Sequence, residues 1–172
     1  MTDNMLDKLV EVAVQDAHPN EVTPPLSTDG RQCCDEWAQD RVEWLRTFHQ
    51  QRREGLTGPA REATWAVVVN GDVAGAVRLK AGTKSGCFET GAWLCRSARG
   101  RGIGRQAMEA VIKQAAIAGA KEVYAETTTS NHGALAVLRH LGFHMEPTDI
   151  RASPVVGRPD GNVVRARLRL GP

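Results

Sequence analysis

The stretch Arg99-Gly100-Arg101-Gly102-Ile103-Gly104 has the makings of a ligand-binding turn. Three glycines alternate with two arginines and an isoleucine, between a strand-like run and a helix-like run. Glycines at such a junction let backbone N–H groups turn inward without a Cβ in the way. The helix N-terminus adds a partial positive charge, so the stretch reads as an anion cradle, most naturally for phosphate. Two familiar phosphate loops do not fit it. The dinucleotide pattern GxGxxG, begun at Gly100 and Gly102, needs glycine where Arg105 stands, and no Lys-Ser or Lys-Thr follows to make a P-loop.

The flanking elements must hold this cradle. Upstream, Cys87 to Leu94 reads as a strand ending in Trp93-Leu94. Downstream, Ile103, Ala107, Ala110, Val111, Gln114, Ala115 and Ala118 recur at helical spacing up to Gly119, a C-cap. A strand, Glu122 to Thr128, follows, and then Asn131 as N-cap of a helix whose Leu135, Leu138 and Leu141 share a face and which Gly142 ends.

Arg99, Gly102 and Gly104 satisfy the acyl-coenzyme A signature [Q/R]-x-x-G-x-[G/A]. The run from Asn131 to Gly142-Phe143 resembles a second signature, N-x-x-A followed by a helix ending in Gly-Phe. On these two motifs the chain resembles the GCN5-related N-acetyltransferase (GNAT) superfamily, well over residues 64 to 150 and poorly at both ends. The resemblance implies an α/β (α+β) fold: a mostly antiparallel mixed sheet flanked by helices, with strands splayed on either side of the cradle helix. It implies acetyl-CoA as cosubstrate and a primary amine as acceptor.

Site roles follow from the same resemblance. The main chain of Arg99, Gly100, Arg101, Gly102, Ile103, Gly104 and Arg105 would hold the pyrophosphate. Trp93, Leu94 and Cys95 would bond the pantetheine arm and supply one N–H that polarises the thioester carbonyl, and Asn131 would touch the same arm. Glu89 lies in Glu-Thr-Gly-Ala-Trp-Leu, which is similar to the Glu-x-Gly-Tyr-x-Leu strand of ribosomal-protein-type acetyltransferases, where the glutamate is general base. Glu126 is a second candidate, and either acid could bind a cationic acceptor without moving protons. Where many relatives carry the tyrosine that protonates the departing thiolate, this chain has Leu138. Its lone tyrosine, Tyr124, reads as packing; the thiolate could leave unassisted, water or Ser130 could supply the proton, or catalytic competence is reduced, and His132 and His140 read as surface positions.

Composition bounds the rest. A chain of 172 residues suits one domain. A net charge of +2, with no dense basic run, gives no support for nucleic acid, and the arginines at 151, 158, 165, 167 and 169 read as solvated strand residues. No apolar segment approaches the ~20 residues of a membrane span, and no secretory leader is evident. Cys33, Cys34, Cys87 and Cys95 complete no zinc pattern, so no metal is expected and a reduced, cytoplasmic protein is the default, monomer or homodimer.

Toward the N-terminus, Leu6, Leu9, Val10, Ala13 and Ala17 suit a helix, whereas Val10, Val12 and Val14 suit a strand; the resemblance favours a strand near Leu9 to Val14. Asn20 to Arg31 reads as loop. Asp35 to Glu54 reads as a helix with Trp37, Arg41, Trp44, Leu45 and Phe48 on one face, a wall of the acceptor pocket by resemblance. Trp65 to Val69, Asn70-Gly71-Asp72 and Val73 to Leu79 form a hairpin. The tail reads as a strand near His144 to Ala152, a loop to Gly161, and a strand Asn162 to Leu170. By the resemblance, the acceptor would be either a protein N-terminal amine or a small cationic amine such as an aminoglycoside. The rival function is a non-catalytic acyl-CoA-binding or sensing module, which Leu138 favours.

Overall fold

The computed structural model describes residues 1–24, 36–147 and 163–171. The elements, in order, are helices α1 (Asp3–Asp16), α2 (Pro19–Val22) and α3 (Gln39–Gln50), then strands β1 (Glu62–Val69), β2 (Asp72–Ala81) and β3 (Cys87–Leu94). Helix α4 (Ile103–Ile117), strand β4 (Glu122–Thr128), helix α5 (His132–His140) and strands β5 (His144–Pro147) and β6 (Val163–Arg169) complete the fold. Cys33, Cys34, Asp35, most of the loop expected to Arg31, and the tail between 148 and 162 lie outside the described residues.

The sheet runs β1-β2-β3-β4-β6-β5. Every pairing is antiparallel except β3 with β4. The β1–β2 hairpin turns where expected, with Asn70 at φ 54° and Gly71 at φ 93°, values that an Asn-Gly pair accepts readily. At Gly75 (φ +151°) an added Cβ would lie 2.2 Å from the Trp93 carbonyl oxygen, so only glycine fits there.

The decisive feature lies at the parallel junction. β3 and β4 are in register only from Cys87↔Glu122 to Thr90↔Ala125. Beyond that, β3 stays with β2 as far as Leu94↔Gly75, while β4 stays with β6 as far as Thr128↔Val163. The two halves of the sheet therefore part company and leave a wedge between the ends of β3 and β4.

Two cores hold the halves. On one face Met108, Val111 and Ala115 of α4 and Leu138 of α5 pack on Val77, Leu79, Phe88, Val123, Ala125 and Ala166. Both helices end on left-handed glycines, Gly119 (φ +81°) and Gly142 (φ +80°), after which Ala120 and Phe143 donate back to Ala115 and Leu138. On the other face, α1 and α3 cover Ala76 and Trp93.

The N-terminal segment corrects the expected strand near Leu9 to Val14: it is helix α1. Thr2 caps it by accepting from the Met5 N–H at 3.3 Å, and Leu6, Leu9, Val10 and Ala13 are all buried at helical spacing. A strand would have put Val14 on the same face as Val10, yet Val14 is 42% exposed. α3 begins at Gln39; of the expected face Arg41 and Leu45 are fully buried, Trp37 and Trp44 pack partly buried against the same core, and His49 joins them. Trp44 and Phe48 stack at 4.9 Å and also line a shallow depression with Asp40, Glu43, Thr47, Gln51 and Arg52.

Candidate active site

After β3 the chain makes one 3₁₀ turn, Arg96–Ala98, and enters α4 through two left-handed glycines, Gly100 (φ +73°) and Gly102 (φ +76°). The first α4 bond runs from the Gln106 N–H to the Gly102 carbonyl at 3.1 Å. Among the described residues, no protein acceptor takes the N–H groups of Gly100 through Arg105. A Cβ built on Gly100 or Gly102 meets nothing within 4 Å, so the loop's face is open. Left-handed turns that aim successive amides outward at a helix N-terminus form an anion site. Beneath it, buried Ile103 packs with Cys95, Ala98 and Ala74 and anchors the loop.

The loop is braced from the N-terminal helices. Asp16 accepts from the Ser97 N–H at 2.9 Å, and its bonds with Ser97 hold its carboxyl below the ordinary aspartate range. The Arg99 guanidinium donates to the Leu94 carbonyl at 2.8 and 3.0 Å and to both carboxylate oxygens of Glu21 at 2.6 and 3.2 Å. Arg99 thus ties the end of β3 to α2, and its charge is paired with Glu21. Arg101 is exposed, while Arg105 reaches His140 of α5 at 2.8 Å.

Strand alternation sorts the expected pantetheine contacts. The Cys95 N–H donates to the Ala74 carbonyl at 2.9 Å, so Cys95 faces β2. Trp93, two residues earlier and in register with Ala76, faces β2 as well. The N–H groups of Ala92 and Leu94 point the other way, into the wedge. Across it, Asn131 caps α5 by accepting from the Ala134 N–H at 3.1 Å. Leu138 is 4% exposed within the core, and His132 and His140 sit at the exposed ends of α5.

Beside the wedge, on the sheet face that carries α1 and α3, an ion ladder runs across β1, β2 and β3. Glu62, only 2% exposed, accepts from Arg52 at 2.6 Å and from Arg78 at 3.0 Å. Arg78 also pairs with Glu89, and the missing Cβ of Gly91 leaves its side chain room, since an added one would stand 3.0 Å from Arg78 Nε. The second oxygen of Glu89 accepts from the Tyr124 hydroxyl at 3.3 Å. Tyr124 is in register with Glu89, one pair before the wedge opens. Burial, with the Glu89 charge second, pushes the Tyr124 phenol above its ordinary value. Arg165 lies 5.2 Å from the tyrosine ring centroid and donates to Glu126 at 2.9 Å through Nε and again through Nη2.

Comparison with known proteins decides the family. A model of the acetyltransferase (GNAT) family matches residues 31–143. The chain belongs to that family. No curated protein sequence matches the acetyltransferase significantly. Its fold matches many solved structures. One is RimL, a ribosomal L7/L12 alpha-N-protein acetyltransferase in complex with coenzyme A, at 17% identity and TM-score 0.72 over 99% of this chain and 91% of that one. A second is the ribosomal-protein-alanine N-acetyltransferase of Brucella melitensis, at 18% and 0.67 over 99% and 97%. A third is the Campylobacter jejuni N-acetyltransferase PseH in complex with acetyl coenzyme A, at 18% and 0.55 over 77% and 79%. Identities this low carry the fold.

The structure therefore brings the loop 99–105, Leu94 and Glu89 to one side of the wedge and Asn131 to the other. Glu126 lies on the same sheet face as Glu89, with its carboxylate held by Arg165. Sequence reasoning missed Arg78, Glu62 and the placement of Tyr124. A signal for the last existed: Glu122, Tyr124 and Glu126 alternate along a strand and must share a face. Among the described residues no helix is long and apolar enough to cross a membrane, and no cluster of three or more His, Cys, Asp or Glu could hold a metal ion.

Proposed function

We propose that this acetyltransferase moves the acetyl group of acetyl-CoA directly to a primary amine held beside Glu89, in a ternary complex and as a single cytoplasmic domain. The observation that carries the reading is the set of unpartnered amides, Gly100 to Arg105, opening beside the β3–β4 wedge. The residues present fit the cosubstrate. An anion cradle with no protein acceptor suits a diphosphate, and a wedge lined by the free N–H groups of Ala92 and Leu94 suits an amide-bearing arm. Acetyl-CoA supplies the activated thioester carbonyl. The protein's share is to anchor it, to aim one main-chain donor at that carbonyl, and to receive the amine's proton. Leu94 N–H is the donor in best position, because Cys95 N–H is already spent on Ala74. One preorganised donor of this kind is worth about 3 kcal/mol in acyl transfer. Arg99 acts as the brace of the loop. Asn131 keeps its cap and offers its amide N–H groups to the wedge.

Glu89 is the group proposed to receive the proton. It lies next to the wedge, and its carboxylate is fixed between Arg78 and Tyr124. A protein N-terminal amine is favoured over a polycationic antibiotic on charge grounds. Glu89 and Glu126 each already carry an arginine partner, which leaves little uncompensated negative charge for a polycation, whereas one amine needs one carboxylate. Two of the matched folds are named for ribosomal-protein substrates, which supports the same choice. The buried Leu138 favours a second reading, binding of acyl-CoA without transfer. Release of free thiol decides the matter: purified protein, acetyl-CoA and a panel of peptides and aminoglycosides are mixed, with Glu89→Gln alongside. Peptide-dependent release, cut at least 100-fold in Glu89→Gln, is the expected result. Binding with no release from any amine would establish the non-catalytic module.

A further inference from the structure

We propose that Tyr124 is a catalytic residue of this site, giving its hydroxyl proton to the departing sulfur and recovering one from Glu89. The inference rests on the acetyl-transfer reading above and adds the group that completes its proton traffic. The geometry is a direct contact: Tyr124 Oη donates to Glu89 Oε2 at 3.3 Å, on the strand across from Glu89 and one register pair from the wedge. Other donors are placed less well. Leu138 is apolar and packed in the core. The Ser130 hydroxyl is engaged with Thr128 Oγ1 at 2.9 Å. Cys95 is buried, and His132 and His140 are exposed at the ends of α5.

The protons balance. The amine nitrogen forms its bond to the acetyl carbon and the carbon–sulfur bond breaks. One N–H proton passes to Glu89, the Tyr124 proton passes to sulfur, and the Glu89 proton crosses the existing hydrogen bond to the Tyr124 oxygen. Both side chains finish as they began, and the products are the amide and the free thiol. The contact with Glu89 is what makes the relay run. A phenol of pKa ~10 is a weaker acid than a thiol of pKa ~8.5, so a lone tyrosine would give up its proton uphill. A carboxyl group that has just taken the amine's proton is a far stronger acid than either and drives the transfer onto sulfur. Burial and the Glu89 charge make the phenol a weaker acid still, so the returning Glu89 proton is essential to the transfer. The charged groups around it are Glu89 on β3, Arg78 on β2, Glu122 and Glu126 on β4, and Arg165 and Arg167 on β6.

The chain has one tyrosine, so tyrosinate absorbance reports this residue alone. The titration, run on the free protein, is expected to have its midpoint above the ordinary ~10 and to fall when Glu89→Gln removes the neighbouring charge. Tyr124→Phe is expected to lower kcat about 100-fold, with KM for acetyl-CoA within twofold of wild type. Replacing the tyrosine by 3-fluorotyrosine, which preserves the fold, should move the alkaline limb of kcat downward together with the tyrosinate midpoint. A midpoint that ignores Glu89→Gln, a kcat loss under threefold in Tyr124→Phe, or an alkaline limb that ignores fluorination would each overturn the proposal. If Glu89→Gln is inactive while Tyr124→Phe is fully active, only this inference falls. If Glu89→Gln is as active as wild type, the reading of Glu89 falls first.

Discussion

Gly102→Ala separates a glycine kept for the fold from one kept for a ligand. Gly102 sits at φ +76°, where a Cβ costs about 1–2 kcal/mol, partly offset by roughly 0.5 kcal/mol from stiffening the unfolded chain. Nothing lies within 4 Å of the added Cβ, so no clash is added to that cost. The expected loss of stability is about 1 kcal/mol, or a fall in Tm of roughly 2–4 °C for a chain of this size. Binding should suffer far more. The methyl stands on the open face of the loop, and any relaxation out of the left-handed region rotates the Gly102 and Ile103 amides. Losing one hydrogen bond to a charged acceptor costs ~1.5–3 kcal/mol, so affinity for coenzyme A should drop roughly 10- to 100-fold. Two other glycines calibrate the result. Gly75→Ala drives a Cβ against Trp93 and Leu94 backbone and should cost about 3 kcal/mol or more of stability. Gly104→Ala puts its Cβ at an ordinary 3.5 Å from Leu94 Cδ1 inside a helix and should stabilise by ~0.5–1 kcal/mol while keeping its N–H. Urea unfolding and isothermal titration with coenzyme A read both quantities. Wild-type affinity in Gly102→Ala would refute the cradle, and a stability loss above about 3 kcal/mol would make this glycine a structural one.

Two further outcomes are expected. His49 is 3% exposed against Thr64, and burial, with Arg52 second, lowers its pKa from 6.5 to about 4. Between those values the unfolded chain binds the proton and the folded one does not, so stability is full above pH 6.5 and falls as pH drops toward 4. By pH 5 the loss is about 2 kcal/mol, and His49→Gln should remove it; urea midpoints at pH 7 and pH 5 that change equally in both proteins would contradict the assignment. Leu138→Tyr restores the residue type that the family resemblance expects, yet it must enter a filled core. It should cost ~1–3 kcal/mol in thermal unfolding and raise kcat by less than twofold, and a tenfold gain would show that position 138 reaches the sulfur after all.

What the sequence disclosed and what it withheld divide along a physical line. Features set by a few neighbouring residues were legible: the Asn70-Gly71 turn, the strand Glu122–Thr128, the glycine stops at 119 and 142, and the loop 99–105 with its helix. Each depends on backbone dihedrals or local periodicity, which sequence encodes directly. Features set by register were not. Arg78 meets Glu89 because β2 and β3 pair Lys80 with Glu89 and Arg78 with Gly91, and no local pattern reveals that Gly91 exists to make room for a guanidinium. Arg41, on the expected face of α3, and His49, outside it, can be buried only because Thr23, Asn20 and Thr64 come from distant segments to satisfy them. The N-terminal segment misled for a different reason. Val10, Val12 and Val14 alternate like a strand by coincidence, and the burial of Leu6, Leu9, Val10 and Ala13 against β2 and α3 overrides them. Tyr124 shows what such blindness costs. As a letter in Glu-Val-Tyr-Ala-Glu it suggests packing; placed opposite Glu89 by the parallel β3–β4 pairing, it becomes a hydroxyl bonded to the proposed base. A motif alignment asks whether position 138 is a tyrosine, whereas the chemistry asks only whether some acid can pass a proton to the sulfur.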